Sequence, residues 1–411
     1  MSTQQFYSIL DSEVTRIDGA ATSKRKERII QSFKSPTVAQ IGGRDVTIFN
    51  SNDYLGLRHN DQVKEAEHAA SQKYGAGPGA VRFISGSMQV HRDLEKTIAH
   101  FHRRDDAMIF SSAFAANLAV LFCLISGQNK DSKVTSNVLV VSDGLNHRSI
   151  IDGIRLANLP KEQRVVFEHM NMESLENILK SAQGKYDRVL VVTDGVFSML
   201  GEYQHLDKMR ALIDTYDITF PQGVLLVMDD CHGVASCGNT GRGIEELKRA
   251  RADVLVGTFG KGFGSDGGYV VANQHVIDYL RESSATYIYS NSISPGTAGA
   301  ALKSIEIVNS SEGKNLLEKS QENTLYFKKL MKEAGFTFAA DSTHPIQPVL
   351  IGDSVKTKGL VEFLFAKDIL VTNISYPVVA KGRDEIRIQI SATHSNEEIE
   401  YLVSCMKEFT S

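Results

Sequence analysis

Lys261 stands between Gly260 and Gly262, just past the apolar run Val254-Leu255-Val256-Gly257-Thr258. Lysine is costly to bury and its amine shifts pKa readily. A glycine-flanked lysine at a strand end is therefore a candidate working amine. The glycines let backbone and ligand come close to it. A second apolar run, Val224-Leu225-Leu226-Val227-Met228, ends in Asp229-Asp230-Cys231-His232-Gly233. Unbroken apolar runs are what central parallel strands need, because both of their faces are covered. Such strands end on the crevice where open α/β sheets hold ligands. Taken alone, the Lys261 stretch also fits a strand-to-strand turn carrying a solvated lysine.

An amine and a carboxylate at neighbouring strand ends fit pyridoxal phosphate. The lysine forms an imine with the cofactor's aldehyde, and the carboxylate keeps the pyridine nitrogen protonated so that the ring can accept electrons. Gly262-Phe263-Gly264-Ser265-Asp266-Gly267 also matches the dinucleotide pattern GxGxxG. That pattern must open a helix, whereas Tyr269-Val270-Val271-Ala272 reads as a strand. A phosphate loop ending in Gly-Lys-Ser/Thr is excluded because Gly262 follows Lys261. The order Asp-x-x-His followed by Thr-x-x-Lys resembles the fold-type I pyridoxal-phosphate enzymes.

A chain of 411 residues can hold more than one domain. A net charge of −4 gives no reason to expect nucleic acid or an anionic membrane surface. Mean hydropathy is −0.17, and no apolar run approaches membrane-spanning length. The N-terminus carries Asp11, Glu13 and Asp18 and has no export core. The four cysteines, Cys123, Cys231, Cys237 and Cys405, form no CxxC pair and read as reduced, buried residues. These features together predict a cytoplasmic address, and no metal site is expected.

Strand and helix signals alternate through the first three quarters of the chain, which predicts a mostly parallel sheet flanked by helices. Strands are expected at Met108-Ile109-Phe110, Val138 to Asp143, Val189 to Val192, Val224 to Met228 and Val254 to Thr258. Helical spacing is read from Thr3 to Phe33, with Phe6, Ile9, Leu10, Val14 and Ile17 on one face. Within it, Lys24-Arg25-Lys26-Glu27-Arg28 reads as a solvated face, with a phosphate-bearing substrate as the alternative. Thr37 to Asn50 reads as strands around the turn Gly42-Gly43. Helices are expected over Gln62 to Tyr74 and Val90 to Phe101, with a mobile glycine-rich segment, Gly75 to Phe83, between them. Ser111-Ser112-Ala113-Phe114 opens a helix whose free amides suit a phosphate or plain capping equally. His147 follows a strand and proves nothing alone. After Pro295 come a long helix, Thr297 to Ala334, strands at Ile346 to Ile351 and Ile386 to Ile390, a helix near Thr357 to Ala366, and a closing helix, Asn396 to Phe409. The expected division is an N-terminal arm over 1–57, a large cofactor-binding domain over 58–295 and a smaller C-terminal α+β domain over 296–411.

Several stretches together carry a more specific resemblance. They are Asn52-Asp53-Tyr54-Leu55-Gly56-Leu57, Val81-Arg82-Phe83-Ile84-Ser85-Gly86, Asp143-Gly144-Leu145-Asn146-His147 with Ser149 to Gly153, and Thr193-Asp194-Gly195-Val196-Phe197-Ser198-Met199. Asp229 to His232, Gly257 to Lys261, Ser290-Asn291-Ser292 and Tyr376-Pro377-Val378-Val379 complete the set. Over nearly its whole length the chain resembles the α-oxoamine synthases, most closely the members that condense glycine with acetyl-coenzyme A. Three departures stand out. Ile218 to Gly223 looks inserted, Gln128 to Asn137 is long, and the glycine segment after Lys261 is one residue short.

The resemblance implies an α/β fold-type I pyridoxal-phosphate transferase acting as a homodimer with shared sites. By position, Lys261 would hold the cofactor and shuttle the α-proton, and Asp229 would pair with the pyridinium nitrogen. His147 would stack on the ring and donate to the developing oxyanion. His232 and Ser198 would contact the ring oxygen. The amides of Ala113 and Phe114, with Thr258, would hold the phosphate, and Ser290 would reach it from the other subunit. Asn52 and Arg387 would bind the amino-acid carboxylate, and Val81 would lie on the substrate loop. The implied substrates are glycine and a short acyl-coenzyme A. The rival within the fold is a synthase using another amino acid or a longer acyl group. A nicotinamide oxidoreductase is disfavoured by the strand after Gly267, and a non-catalytic subunit by the presence of both Lys261 and Asp229.

Overall fold

The computed structural model describes every residue except 1, 20–22, 26, 128, 130, 377, 378 and 411. Three short strands lead in: β1 (Ile30–Phe33), β2 (Val38–Ile41) and β3 (Arg44–Ile48). The central strands are β4 (Asp106–Phe110), β5 (Val138–Asp143), β6 (Arg164–Phe167), β7 (Arg188–Asp194), β8 (Val224–Asp229), β9 (Val254–Thr258) and β10 (Gly268–Ala272). They form a seven-stranded sheet in the order β4-β10-β9-β8-β7-β5-β6. Strands β5 to β9 are mutually parallel, and β10 runs antiparallel to both β9 and β4.

The apolar runs form strands because each face of the sheet has its own core. Val254 and Val256 point to one side, against Val140, Val227 and Val270 and the helix residues Ala116, Val120 and Leu121. Leu255 points to the other side, with Val141, Val191 and Met228 and the helix residues Leu94 and Ile98. Each buried aliphatic side chain contributes roughly 1.5–3 kcal/mol relative to exposure. A polar residue on either face would forfeit that, so the runs are unbroken. Glycine is required where β10 passes the helix Ala113–Ser126: a Cβ on Gly268 would overlap the Ala113 amide nitrogen. At Gly257 the Tyr269 ring fills the space a side chain would take.

The C-terminal strands are β11 (Ile346–Leu350), β12 (Ile369–Leu370), β13 (Thr372–Ile374) and β14 (Glu385–Gln389). Strands β11, β14 and β13 make an antiparallel sheet, whereas β12 pairs in parallel with β3, so the N-terminal strands join the C-terminal part of the chain. Strand β14 alternates: Ile386 and Ile388 enter a core with Val349, Leu360, Phe327 and Leu402, and Glu385, Arg387 and Gln389 occupy the opposite face.

Three expectations are corrected. The first helix spans Ser2–Gly19 only, and Phe6, Ile9, Leu10 and Val14 on it are exposed in this chain. Residues Ile30–Phe33 are a strand, because pairing with β2 at Ile30↔Ile41 overrides local helical spacing. Lys24, Arg25, Glu27 and Arg28 therefore lie in irregular chain, with Lys26 outside the described residues. Arg28 bonds Glu362 at 2.9 Å and lies over the Phe365 ring. The long helix is in fact two, Pro295–Val308 and Ser311–Glu333, broken where Ser310 caps the second through Oγ and the Glu312 amide. The glycine-rich segment is anchored: Arg82 is buried and pairs with the fully buried Glu95 at 3.2 Å. Of the stretch Tyr376 to Val379, Pro377 and Val378 lie outside the described residues, as do Gln128 and Lys130 of the long loop.

Candidate active site

Helical crossovers between parallel strands bring the strands' carboxyl ends out on one side of the sheet. There a cavity of about 200 Å3 is lined by residues from five connections. Ala113 and Phe114 come after β4, His147 and Ser149 after β5, and Asp194, Val196 and Ser198 from β7 and its exit. Asp229, Cys231 and His232 come from β8, and Thr258 and Lys261 from β9. Eight residues expected at the site thus share one wall-to-wall space: Ala113, Phe114, His147, Ser198, Asp229, His232, Thr258 and Lys261.

At the head of the cavity the helix Ala113–Ser126 starts from Ser112, whose Oγ accepts the Ala115 amide at 3.1 Å. The amides of Ala113 and Phe114 have no intrahelical acceptor, which leaves them for an anion. Thr258 Oγ1 donates to the Gly267 carbonyl at 2.9 Å and accepts the Gly260 amide at 3.1 Å. Its hydroxyl must rotate before it can donate to a ligand.

Asp229 lies at the base, 6% exposed. Its Oδ1 accepts the Cys231 amide at 3.0 Å and its Oδ2 accepts Asn117 Nδ2 at 2.6 Å. Asp194 is its register neighbour on β7. Burial, then the Asp229 charge, push the Asp194 carboxyl well above the usual range, and its Oδ1 has no partner. Asp194 Oδ2 accepts the His147 amide at 3.1 Å, which fixes the histidine's backbone. Burial lowers the His147 pKa against the pull of Asp229. His232 is lowered well below its usual value by burial and then by the Lys261 and Arg387 charges. Both rings are neutral at pH 7.

The remaining expected residues stand apart from this cavity in the single chain. Arg387 is buried and its Nε donates to the Ser198 carbonyl at 2.7 Å. Asn52 Oδ1 accepts Gln389 Nε2 at 2.6 Å and faces the Tyr54 hydroxyl at 3.3 Å. Tyr54 closes the link, with its hydroxyl 2.7 Å from His232 Nδ1. Asn52 and Arg387 are thus tied to the cavity wall through Tyr54 and Ser198. Val81 lies in the anchored loop, where its carbonyl accepts the Gly86 amide at 3.1 Å. Ser290 is half-buried and lines no part of the cavity.

The sequence reading assigned no role to Asn117, Ser149, Asp194 or Tyr54. The one usable signal for Asn117 was a polar residue in the otherwise apolar helical run Ala113 to Ile125. Such a residue must find a partner once its face is buried.

Beneath the Ser198 turn, His169 bridges Asp143 at 2.8 Å and Glu202 at 3.2 Å. Burial alone would lower its pKa, but the hydrogen bonds and charges of these two carboxylates raise it to about 9. A raised folded pKa gives stabilisation that is complete below the unfolded value of 6.5 and is lost as pH climbs through about 9. The wild-type chain is therefore expected to lose stability over that window relative to His169→Asn. Denaturant midpoints measured from pH 6 to 10 check this, and parallel pH profiles would refute it.

The donor set fits pyridoxal phosphate: an amine, a carboxylate with its own donors, and two unbonded helix amides that Gly268 keeps clear of side chain. Comparison with known proteins agrees. Residues 44–405 match the family model described as aminotransferase class I and II. The mitochondrial 2-amino-3-ketobutyrate coenzyme A ligase of Mus musculus is 37% identical over 408 residues, 98% of this chain and 92% of that protein. The 8-amino-7-oxononanoate synthase of Petrotoga mobilis is also 37% identical, over 97% of this chain and 96% of its own length. A solved structure described as SPT with PLP internal aldimine superimposes with a TM-score of 0.87 at 25% identity, covering 98% of this chain and 97% of that one. The chain belongs to the aminotransferase class I and II family, within its α-oxoamine synthases, and is a pyridoxal-phosphate-dependent acyltransferase of fold type I.

Proposed function

We propose that the chain condenses glycine with acetyl-coenzyme A, reversibly, to give 2-amino-3-oxobutyrate and coenzyme A. The observation that carries this reading is the polarity of the substrate end. Arg387 and Asn52, tied to the cavity wall through Ser198 and Tyr54, offer groups for one carboxylate. Neither residue offers anything to an amino-acid side chain. The name of the mouse relative supports the same reaction.

When bound, pyridoxal phosphate supplies an electron sink for the bond broken at the amino acid's α-carbon. Lys261 Nζ would hold the cofactor covalently and, once freed, take and return the α-proton. Asp229 would hold a proton on the cofactor's ring nitrogen, and His232 and Ser198 would face its ring oxygen. The amides of Ala113 and Phe114, the hydroxyl of Thr258 and Ser290 of a second subunit would hold the phosphate. Arg387's planar fork and Asn52 would orient the carboxylate, and Val81 would border the substrate. His147, neutral and facing the cavity, would donate to the oxyanion that develops at the thioester carbon. A homodimer and a cytoplasmic address belong to the same proposal. Among the described residues no helix is long and apolar enough to cross a membrane.

The equal similarity to an 8-amino-7-oxononanoate synthase favours a second reading, with another amino acid or a longer acyl group. Apolar pockets discriminate by only about 1–3 kcal/mol per methylene, so propionyl-coenzyme A should be a poorer but measurable substrate. The test is kcat/KM across amino acids with acetyl-coenzyme A, then across acyl lengths. A preference for alanine, serine or long acyl chains selects the second reading. Independently, Lys261→Ala is expected to lose the covalently bound cofactor's visible band and all turnover. Borohydride fixation of the wild type should label Lys261, and a label on another lysine would refute its role.

A further inference from the structure

Asn117 sits one turn inside the helix Ala113–Ser126 and is 1% exposed. Its Nδ2 lies 2.6 Å from Asp229 Oδ2 and 2.9 Å from Ser149 Oγ. An amide nitrogen carries two hydrogens and accepts nothing, so both contacts are donations. Ser149 Oγ is the acceptor in its contact, and its single proton remains for the next atom in reach, His147 Nδ1 at 2.7 Å. The backbone N–H of Ser149 points at the same nitrogen from 3.3 Å. A ring nitrogen facing two donors is an acceptor, which leaves the proton of the neutral imidazole on Nε2.

At the other end of the amide, Asp229 Oδ2 receives one N–H and Oδ1 receives another from Cys231. Hydrogen bonds to the charged form of a carboxylate favour that form. Turning the amide over would set Asn117 Oδ1 against a carboxylate oxygen, two acceptors face to face. The charge on Asp229 thus fixes the amide's orientation, and through Ser149 that orientation fixes the histidine.

We propose that Asn117 is a positioning residue that sets two proton positions with one amide group: it holds Asp229 ionised and, through Ser149, holds His147 as the Nε2–H tautomer. The proposal rests on the roles given above to Asp229 and His147. It adds that the two are coupled, so the ring-nitrogen partner and the oxyanion donor are set together.

The test uses the holoenzyme with 15N-labelled histidine, the His147 signal being assigned by comparison with His147→Gln. Imidazole 15N shifts report the tautomer. The pH titration of the bound cofactor's visible absorption reports the charge beside it. Asn117→Leu removes both donors at similar volume. It should mix the His147 tautomers, move the titration midpoint by about one pH unit or more, and lower kcat about ten- to a hundredfold. The amino-acid KM should stay within about threefold, because Asn117 touches no substrate. Ser149→Ala severs only the histidine branch: the tautomer should change while the titration stays at its wild-type midpoint. Asn117→Ala removes both donors with a smaller side chain that keeps helix propensity, so it decides the matter should Asn117→Leu not fold. Wild-type behaviour of either readout in Asn117→Leu or Asn117→Ala overturns the proposal. Failure to use glycine or acetyl-coenzyme A would count against the proposed substrates and leave both spectroscopic results standing.

Discussion

The cavity is built around one buried carboxylate, Asp229, each of whose oxygens accepts a hydrogen bond. Asp229 sits at the end of a strand covered on both faces, 6% exposed, with Asp194 beside it on the neighbouring strand. Burial and a neighbouring negative charge both disfavour a second ionised carboxyl. Asp229 has two donors, and Asp194 has one donor and an oxygen with no partner. The asymmetry decides which carries the charge, and it matches the upward push on Asp194. Breaking it means removing Asn117 or the Cys231 amide. The first is a side chain on a helix, and the second is fixed by the turn that follows β8.

The fold makes this economical in parts. One helix, Ala113–Ser126, presents free amides at its first turn and Asn117 at its second, within about 6 Å along its axis. Its apolar residues Ala116, Val120 and Leu121 pack in one core with Val140, Val227 and Val256 of the sheet, so the free amides and Asn117 are held by one element. The polar face of β14 sends Arg387 to Ser198 and Gln389 to Asn52, which ties the C-terminal sheet to the cavity's rim.

Much of this was legible in the chain. The central strands announce themselves as unbroken apolar runs, and Lys261 and Asp229 stand at their ends. What stayed hidden depended on contacts between distant residues. Asn117 meets Asp229 across 112 positions, and Tyr54 meets His232 across 178. Neither partner carries a local mark of the other. The parallel pairing of β12 with β3 has no spacing signal either, because two residues are too few to show a period. The first helix was read too long for a related reason. Residues 30–33 are polar and apolar in a way that suits either period, and the edge of β2 settles it. Val81 and Ser290 line no part of the cavity.

The central claim is that an ionised Asp229 makes the electron sink work, and exchange of the α-proton tests it directly. Asp229→Asn keeps the shape and removes the charge. With cofactor bound, exchange of the glycine α-proton into deuterated water should fall by orders of magnitude, corresponding to roughly several kcal/mol of transition-state stabilisation. Cofactor binding should survive, since the helix amides and Lys261 are untouched. Exchange at a near-normal rate in Asp229→Asn would contradict the account.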